Sequence, residues 1–153
     1  MIPKSDHIRT ALFAGSFNPF TRGHADIVER GLKIFGRVII GVGYNEHKPG
    51  GLDQATENAE SIAALYRDCP NVEVASFSGL TVEFCKKAGA DVLLRGVRNT
   101  TDFEYEKNLA DTNLAISGIE TVLLPCRPEL AFISSSMVRE LQHNGFDTSA
   151  YLP

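Results

Sequence analysis

The sequence predicts an α/β protein in which a parallel β-sheet is covered by helices on both faces. Two observations predict this fold class: short apolar runs rich in Val, Ile and Leu alternate with segments of helical period, and the runs are apolar on both faces. The chain has 153 residues, of which 43% are hydrophobic, and this suits one ordinary domain with a closed core. We therefore expect residues 1–153 to form a single domain.

Five apolar runs have the length and composition of buried strands. They cover residues 11–14, 38–42, 72–77, 91–94 and 121–124. Each is followed by a segment of different character, so the strands cannot pair through short hairpins and need crossover connections. The order predicts a doubly wound, Rossmann-like sheet of five parallel strands.

The segments between the strands have the periodicity of amphipathic helices. One predicted helix covers residues 25–35 and another covers residues 57–68. Their inward-facing residues are Ile27, Val28, Leu32 and Phe35 in the first, and Ala59, Ile62, Ala63 and Tyr66 in the second. Gly36, Pro70 and Gly89 stand at or just after the expected helix ends, where breakers and C-terminal caps are common.

Two further segments complete the predicted architecture. Residues 47–56, HKPGGLDQAT, read as a mobile Gly/Pro-rich loop. Residues 99–118 form an unusually long helical segment. Its predicted inward-facing residues are Phe103, Leu109, Ala110, Leu114 and Ile116. Acidic residues at its start favour the helix dipole, namely Asp102, Glu104 and Glu106.

Composition excludes several classes of function. The net charge of −4 and the pI near 5.5 argue against nucleic-acid or membrane partners, so any anion site must be local. Three widely spaced cysteines without a C-x-x-C pair favour reduced core residues over a disulfide framework or a zinc site. No stretch approaches 18 consecutive apolar residues, and the polar start lacks the apolar region of a signal peptide. We expect a cytoplasmic protein.

The candidate functional segments all follow predicted strands. They are GSFNPFTRGH, GYNEHKPG, SGLT, RGVRNT and RPELAFISSS, in chain order. In an open parallel sheet ligands bind beyond the carboxyl ends of the strands, where neighbouring connections diverge to opposite faces. The sequence therefore predicts one site, assembled from these loops.

The first loop has the chemistry of an anion site. Gly15 permits close backbone approach, Pro19 stiffens the bend, and Gly23 lies at the start of a helix whose N–H groups favour phosphate. It is neither a Walker loop nor a dinucleotide fingerprint, because the sequence has no G-x-x-x-x-G-K-[ST] and GVGYNE lacks the third glycine. His24 is either a structural histidine or a hydrogen-bond donor to a phosphoryl oxygen.

Other polar residues of these loops suit phosphate as well. Ser134, Ser135 and Ser136 begin a second helix, either as a simple N-cap or as a phosphate site. Arg95 and Arg98 stand three residues apart at a strand end, where guanidinium groups can pair with phosphate oxygens. We interpret the two arginines as a phosphate clamp rather than as a solvated surface pair.

These motifs together resemble those of the phosphopantetheine adenylyltransferases. The resemblance rests on GSFNPFTRGHADIVERG, LLRGVRNTTDFEYEKNLADTN, FISSSMVRE and the terminal YLP, with a lysine-bearing loop after the second strand. The T-x-G-H form alone is typical of nucleotidyltransferases in general, whereas RGVRNTTDFEYE favours this family. The resemblance implies transfer of AMP from ATP to 4'-phosphopantetheine, with Mg²⁺ carried by ATP and no dedicated metal ligands, in a homohexamer.

The resemblance also implies roles for individual residues. His24 would stabilise the transition state, and the acceptor phosphate would be held by Ser16, Lys48 and Arg95. The implied ATP site consists of Ser16, Phe17, His24, Gly96, Val97, Arg98, Glu106, Phe132, Ile133, Ser134, Ser135 and Ser136. The implied pantetheine pocket consists of Thr81, Tyr105 and Asn113.

Two other functions remain open at this point. One is adenylyl transfer to a different phosphate, with nicotinate or nicotinamide mononucleotide as the nearest candidate. The other is a non-catalytic ATP-binding sensor, since fold alone does not determine function. The presence of His24, Lys48 and Arg95 together favours an enzyme.

Overall fold

The computed structural model describes residues 7–153, and its centre is a five-stranded, wholly parallel sheet. The strands are β1 (Thr10–Gly15), β2 (Arg37–Tyr44), β3 (Val72–Ser78), β4 (Val92–Val97) and β5 (Thr121–Pro125). Their spatial order is β3-β2-β1-β4-β5. Phe13 of β1 aligns with Ile40 of β2 and with Leu94 of β4. The predicted doubly wound fold is confirmed.

Five α-helices connect the strands or follow them. They are α1 (Arg22–Leu32), α2 (Gly51–Leu65), α3 (Thr81–Lys87), α4 (Thr100–Ser117) and α5 (Ser135–His143). Short 3₁₀ turns cover Pro128–Leu130 and Ser149–Tyr151. Along the chain the connections run from β1 toward β3 on one side and from β4 to β5 on the other. The switch point therefore lies between β1 and β4.

Alternate residues of β1 point into two separate cores. Ala11 and Phe13 belong to the larger core, which contains the buried residues of α1 and α2, whereas Leu12 and Ala14 belong to the smaller core with α3. This period of two is what a strand buried on both faces requires. A Cβ on Gly31 would lie 2.7 Å from Leu94 Cδ2, so a larger residue at this position of α1 would force the buried Leu94 side chain of β4 to shift.

Two sequence predictions about the helices need correction. The first helix does begin beside Gly23, as predicted, and runs from Arg22 to Leu32. Most of the expected loop 47–56 is helical, because α2 begins at Gly51 after Gly50 reverses the chain at φ 74°. Ala63 of this helix is exposed rather than inward-facing.

The long helix α4 follows its predicted apolar pattern only in part, since Leu109 and Ala110 are half-buried and line a cavity. Phe103, Leu114 and Ile116 are exposed, and the buried residues of this helix are Glu106 and Asn113. The face that meets the rest of the protein therefore combines apolar residues with two buried polar side chains. Since a polar group is buried at low cost only when it is hydrogen-bonded, this face indicates a functional rather than a packing role.

The cysteines only partly follow the prediction of core residues. Cys85 is buried and Cys126 is half-buried, but Cys69 is exposed. All three are free thiols. Within residues 7–153 no helix is both long and apolar enough to cross a bilayer.

Candidate active site

A cleft of about 420 Å³ opens at the carboxyl ends of β1 and β4, beside the first turns of α1 and α5. It is lined by the loop after β1, by Arg95, Gly96 and Arg98 of the β4 end, and by the serines that begin α5. This is the switch point of the sheet, where the sequence predicted the site.

The loop after β1 is held by a cluster of aromatic rings. Phe17 is buried, and its ring meets Phe20 edge-on at 5.3 Å and His24 at 5.0 Å between centroids. Its backbone has φ 47°, in the left-handed region that a bulky residue seldom adopts. A Cβ on Gly15 would lie 3.1 Å from the Phe17 ring. Packing thus maintains a strained backbone where the loop borders the cleft.

His24 is oriented by its own helix start. Thr21 is the N-cap of α1, and its backbone N–H donates to Nδ1 of His24 at 2.9 Å. The Thr21 hydroxyl in turn accepts from the backbone N–H of His24 at 3.4 Å. Because Nδ1 accepts a hydrogen bond, the neutral ring carries its proton on Nε2.

The protonation state of His24 follows from its surroundings. Burial, together with the positive charges of Arg95 and Arg98, lowers the pKa of His24 from 6.5 to about 4. At neutral pH the ring is therefore uncharged. It offers one N–H, on Nε2, to a ligand in the cleft.

Arg95 is fixed by a nearly enclosed carboxylate. Its Nε and Nη2 donate to the two oxygens of Glu106 at 2.8 and 2.7 Å, and its Nη1 donates to the carbonyl oxygen of Ala14. Glu106 is only 5% exposed. The buried polar face of α4 therefore orients the guanidinium at the end of β4 through a bidentate pair.

Arg98 forms a second pair with α4, but in a more open position. Its Nε and Nη2 donate to Asp102 at 2.8 and 3.2 Å, and its backbone N–H donates to the same carboxylate at 3.2 Å. The hydrogen bond from Arg98 lowers the pKa of Asp102 and raises that of Arg98. Asn99 caps the helix by accepting from the backbone N–H of Asp102 at 2.9 Å.

The three serines have distinct contacts at the start of α5. Ser134 is the N-cap and accepts from the backbone N–H of Met137 at 3.1 Å. Ser135 donates to the carbonyl oxygen of Pro19 at 2.8 Å, which joins α5 to the loop after β1. The hydroxyl of Ser136 lies 3.2 Å from that of Ser134. The helix start leaves N–H groups that favour an anion.

A narrower cavity of about 30 Å³ adjoins the cleft, with which it shares Arg95 and Glu106. Its other polar lining comes from Thr81, Asn113 and Thr121. Asn113 is 9% exposed, and the Thr121 hydroxyl is buried with no hydrogen-bond partner among the described residues. Unsatisfied buried polar groups are costly, so this cavity is suited to a ligand that carries its own donors and acceptors.

The structure brings most of the predicted site residues together, in two cavities. The cleft is lined by Ser16, Phe17, His24, Arg95, Gly96, Arg98, Tyr105, Glu106, Ile133, Ser134, Ser135 and Ser136. The narrower cavity contains Thr81 and Asn113. Neither cavity is lined by Lys48, Val97 or Phe132. Lys48 is exposed in the turn before α2, and Phe132 packs edge-on against Tyr151 at 5.8 Å.

Among the residues of the cleft lining that were not predicted as site residues, four carry a polar or sulfur-bearing side chain: Thr21, Asp102, Cys126 and Arg139. Thr21 had a signal, because a threonine three residues before a polar side chain is typical of a capping box. Asp102 had one too, since it stands four residues after Arg98 on a predicted helix. Nothing in the local sequence marks Cys126. Arg139 lies little more than a helical turn beyond the serine motif.

The chain was compared with known proteins. Residues 12–141 match the cytidylyltransferase-like family. A phosphopantetheine adenylyltransferase of Porphyromonas gingivalis is 54% identical over 143 residues, which cover 94% of this chain and 93% of that protein. One of Flavobacterium psychrophilum is 44% identical, over 95% and 96% of the two chains. The chain belongs to the phosphopantetheine adenylyltransferase family. It is a nucleotidyltransferase of coenzyme A biosynthesis.

Solved structures support the fold of this phosphopantetheine adenylyltransferase family member. A bifunctional NMN adenylyltransferase/ADP ribose pyrophosphatase of Francisella tularensis matches with a TM-score of 0.68 and 14% identity, covering 95% of this chain and 45% of that one. The chain thus spans less than half of that protein. At this level of identity the likeness concerns the fold alone.

Proposed function

We propose that this cleft transfers AMP from ATP to 4'-phosphopantetheine, releasing dephospho-CoA and pyrophosphate. One observation carries the proposal: the cleft that contains the neutral His24 and the helix starts continues, past a fixed Arg95, into a narrower cavity with an unsatisfied polar lining. A nucleotide fits the wider space. The narrower cavity has room for only about two water molecules, so the amide-bearing arm of the acceptor approaches its polar lining and the cavity must widen to admit it.

The reaction requires no protein nucleophile. An oxygen of the acceptor phosphate attacks the α-phosphorus of ATP, and the bond from that phosphorus to the bridging oxygen of the β-phosphate breaks, so pyrophosphate leaves with the electron pair. Catalysis then rests on orientation and on charge stabilisation. The Nε2–H of His24 donates to a non-bridging oxygen of the α-phosphate, where negative charge develops in the transition state.

The ATP site combines the helix starts with the end of β4. We assign it Ser16, Phe17, His24, Gly96, Val97, Arg98, Ile133, Ser134, Ser135 and Ser136. Glu106, which the resemblance places in the ATP site, borders that site but contacts Arg95 instead, because both of its carboxylate oxygens already accept from that guanidinium. Phe132 supports the site from outside the cleft, where its ring contacts Tyr151.

The acceptor site lies on the side of the narrower cavity. Arg95 and Ser16 contact the phosphate, while Thr81, Tyr105 and Asn113 surround the pantetheine arm. Lys48 is the remaining proposed ligand of this phosphate. Its position in an exposed turn before α2 means that the turn must move toward the cleft when the acceptor binds.

We also propose how the enzyme obtains its metal ion, how it assembles and where it is located. Mg²⁺ arrives on the phosphates of ATP, since the cleft carboxylates Asp102 and Glu106 are each engaged by an arginine, and no group of His, Cys, Asp or Glu side chains within residues 7–153 is arranged to hold a metal. The exposed apolar residues Phe103, Leu114 and Ile116 on α4 suit a subunit interface in a homohexamer. The domain spans residues 1–153, is cytoplasmic, and has neither nucleic-acid nor membrane partners.

One assay separates this proposal from its alternatives. The protein is incubated with ATP and Mg²⁺ and, in parallel, with 4'-phosphopantetheine, pantetheine, nicotinamide mononucleotide or nicotinate mononucleotide, and pyrophosphate is measured. We expect pyrophosphate only with 4'-phosphopantetheine, since pantetheine lacks both the attacking oxygen and the contacts to Arg95. Release with a mononucleotide instead would identify a different acceptor, and no release with any acceptor would favour an ATP sensor.

A further inference from the structure

Three phenylalanine rings surround the imidazole of His24. Their centroids lie 5.0 Å (Phe17), 5.4 Å (Phe20) and 6.1 Å (Phe13) from the centroid of the imidazole. All three phenylalanines are buried, and none is more than 7% exposed. These rings therefore form the apolar surroundings of the side chain that donates to the α-phosphate.

Phe20 differs from the other two phenylalanines in the orientation of its ring. Its plane is tilted by 31° from that of the imidazole, whereas Phe13 is tilted by 57° and Phe17 meets the imidazole edge-on at 83°. Phe20 is thus the ring nearest to a parallel, offset arrangement with the imidazole. The last torsion of a histidine side chain is broad by itself, so the position of the ring depends on what packs against it.

Phe20 connects His24 to the rest of the fold without reaching the ligand. It directly precedes Thr21, whose backbone N–H donates to Nδ1 of His24 at 2.9 Å. Its ring also meets Tyr66, at the end of α2, edge-on at 6.2 Å between centroids. Phe20 lines neither the cleft nor the narrower cavity, so any effect on the reaction must pass through His24.

We propose that Phe20 is a positioning residue for AMP transfer, since its ring holds the plane of the His24 imidazole so that the Nε2–H faces the α-phosphate. This assignment rests on the proposed function, which gives His24 its role at that phosphate. Thr21 fixes one nitrogen of the imidazole, and Phe20 fixes the plane of the ring around that hydrogen bond. A preorganised donor contributes to the rate only while it points at the developing charge.

The aromatic surroundings also act on the proton affinity of His24. Burial is the largest cause that lowers the pKa of His24 to about 4, ahead of the charges of Arg95 and Arg98 at the end of β4. On the side of α2 the neighbouring group is Tyr66, which is neutral at physiological pH because burial raises its pKa to about 12. On the side of α5, Arg139 lines the same cleft. A smaller side chain at position 20 would admit water, and the pKa of His24 would then rise toward 6.5.

Phe20→Leu tests the proposal, because it keeps a large apolar side chain and removes the ring. Phe35→Leu is the matched control, since Phe35 is a buried phenylalanine of the same core beyond the other end of α1. Steady-state kinetics, calorimetry with ATP and thermal unfolding are recorded, and the ring of His24 is titrated by nuclear magnetic resonance without substrates. For Phe20→Leu we expect kcat to fall about three- to tenfold, the affinity for ATP to change less than about twofold, and the pKa of His24 to rise by about half a unit or more.

The control and a second variant distinguish positioning from packing. Phe35→Leu should lower the temperature of unfolding by a similar amount but leave kcat and the titration of His24 as in the wild type. Phe20→Met, which fills the space with a flexible chain, should resemble Phe20→Leu. The proposal is overturned if both variants of Phe20 keep the wild-type kcat or the wild-type titration of His24, or if Phe35→Leu shows the same changes. The titration needs no acceptor, so it remains decisive even if the wild type released no pyrophosphate with 4'-phosphopantetheine.

Discussion

The two sides of the cleft compensate their charges in opposite ways. On the side of β4 and α4, Arg95 and Arg98 are each held by a carboxylate through two hydrogen bonds. On the side of α1 and α5, the helix starts and Arg139 have no carboxylate partner among the described residues, and His24 is neutral. Paired cations provide fixed orientation, whereas uncompensated donors provide attraction for an anion. We infer that Arg95 on the first side orients the acceptor, that Arg98 on the same side orients the nucleotide, and that the second side attracts the triphosphate.

The largest effect is expected at the neutral donor between the two sides. His24→Ala should lower kcat by about 10²-fold or more, because one preorganised hydrogen bond to the developing charge is lost. Thermal unfolding should show an intact fold. Steady-state kinetics with both substrates saturating gives the measurement, and unchanged kcat in a normally folded variant would remove His24 from the catalytic machinery.

Removing the buried carboxylate of Glu106 should destabilise the protein and loosen the orientation of Arg95. Glu106→Gln leaves Arg95 with one side-chain acceptor instead of two, besides the carbonyl oxygen of Ala14, and without a compensating charge, so the free energy of unfolding should fall by about 2 kcal/mol. The Michaelis constant for 4'-phosphopantetheine should rise by about tenfold, while that for ATP changes less. Urea denaturation and steady-state kinetics check the two effects. Equal increases in both Michaelis constants would place Glu106 in the ATP site itself.

Acid should reveal the environment of His24 directly. The unfolded chain binds a proton at His24 near pH 6.5, whereas the folded protein does so only near pH 4. The contribution of His24 to stability is therefore complete above pH 6.5 and is lost as the pH falls toward 4, by on the order of 3 kcal/mol. Denaturation of the wild type and of His24→Asn from pH 7 to 4 measures it. A constant difference between the two proteins would contradict the lowered pKa.

The smallest effect is expected at the more open ion pair. Asp102→Asn removes the carboxylate from Arg98, but both side chains are part-exposed, so the loss in stability should stay below about 1 kcal/mol. The affinity for ATP should rise slightly, since Arg98 then has no competing anion. Chemical denaturation and calorimetry with ATP supply the comparison with Glu106→Gln. A destabilisation as large as that of Glu106→Gln would show that the exposed Arg98–Asp102 pair contributes as much to stability as the more buried Arg95–Glu106 pair.

Much of this arrangement could be predicted from the sequence, because it depends on local pattern and on one topological rule. The strands were recognisable as short apolar runs, and the carboxyl ends of parallel strands must meet at one edge. His24 and the serines of α5 were recognisable for the same reason, since each stands at the start of a helix that follows a strand.

The charge balance of the cleft could not be predicted in this way. Arg95 and Glu106 stand eleven residues apart, and only the packing of α4 on the sheet brings them together. The apolar pattern of α4 suggested that Phe103, Leu114 and Ile116 are buried, but they are exposed and flank the face that buries Glu106 and Asn113. The spacing of apolar residues in one chain does not distinguish a helix face that packs in the core from a face that borders a binding site. The position of Lys48 relative to the cleft depends on an exposed turn. The sequence does not determine where this turn lies when a ligand is bound.

The division of the cleft is tested most directly by titrating ATP and 4'-phosphopantetheine separately into Arg95→Ala. Loss of a charge-assisted contact should reduce the affinity for 4'-phosphopantetheine by about one to two decades, while the affinity for ATP stays within about threefold of the wild type. If ATP affinity collapsed while 4'-phosphopantetheine affinity held, the oriented side of the cleft would be the nucleotide site, and the assignment of the two substrates to the two sides would be reversed.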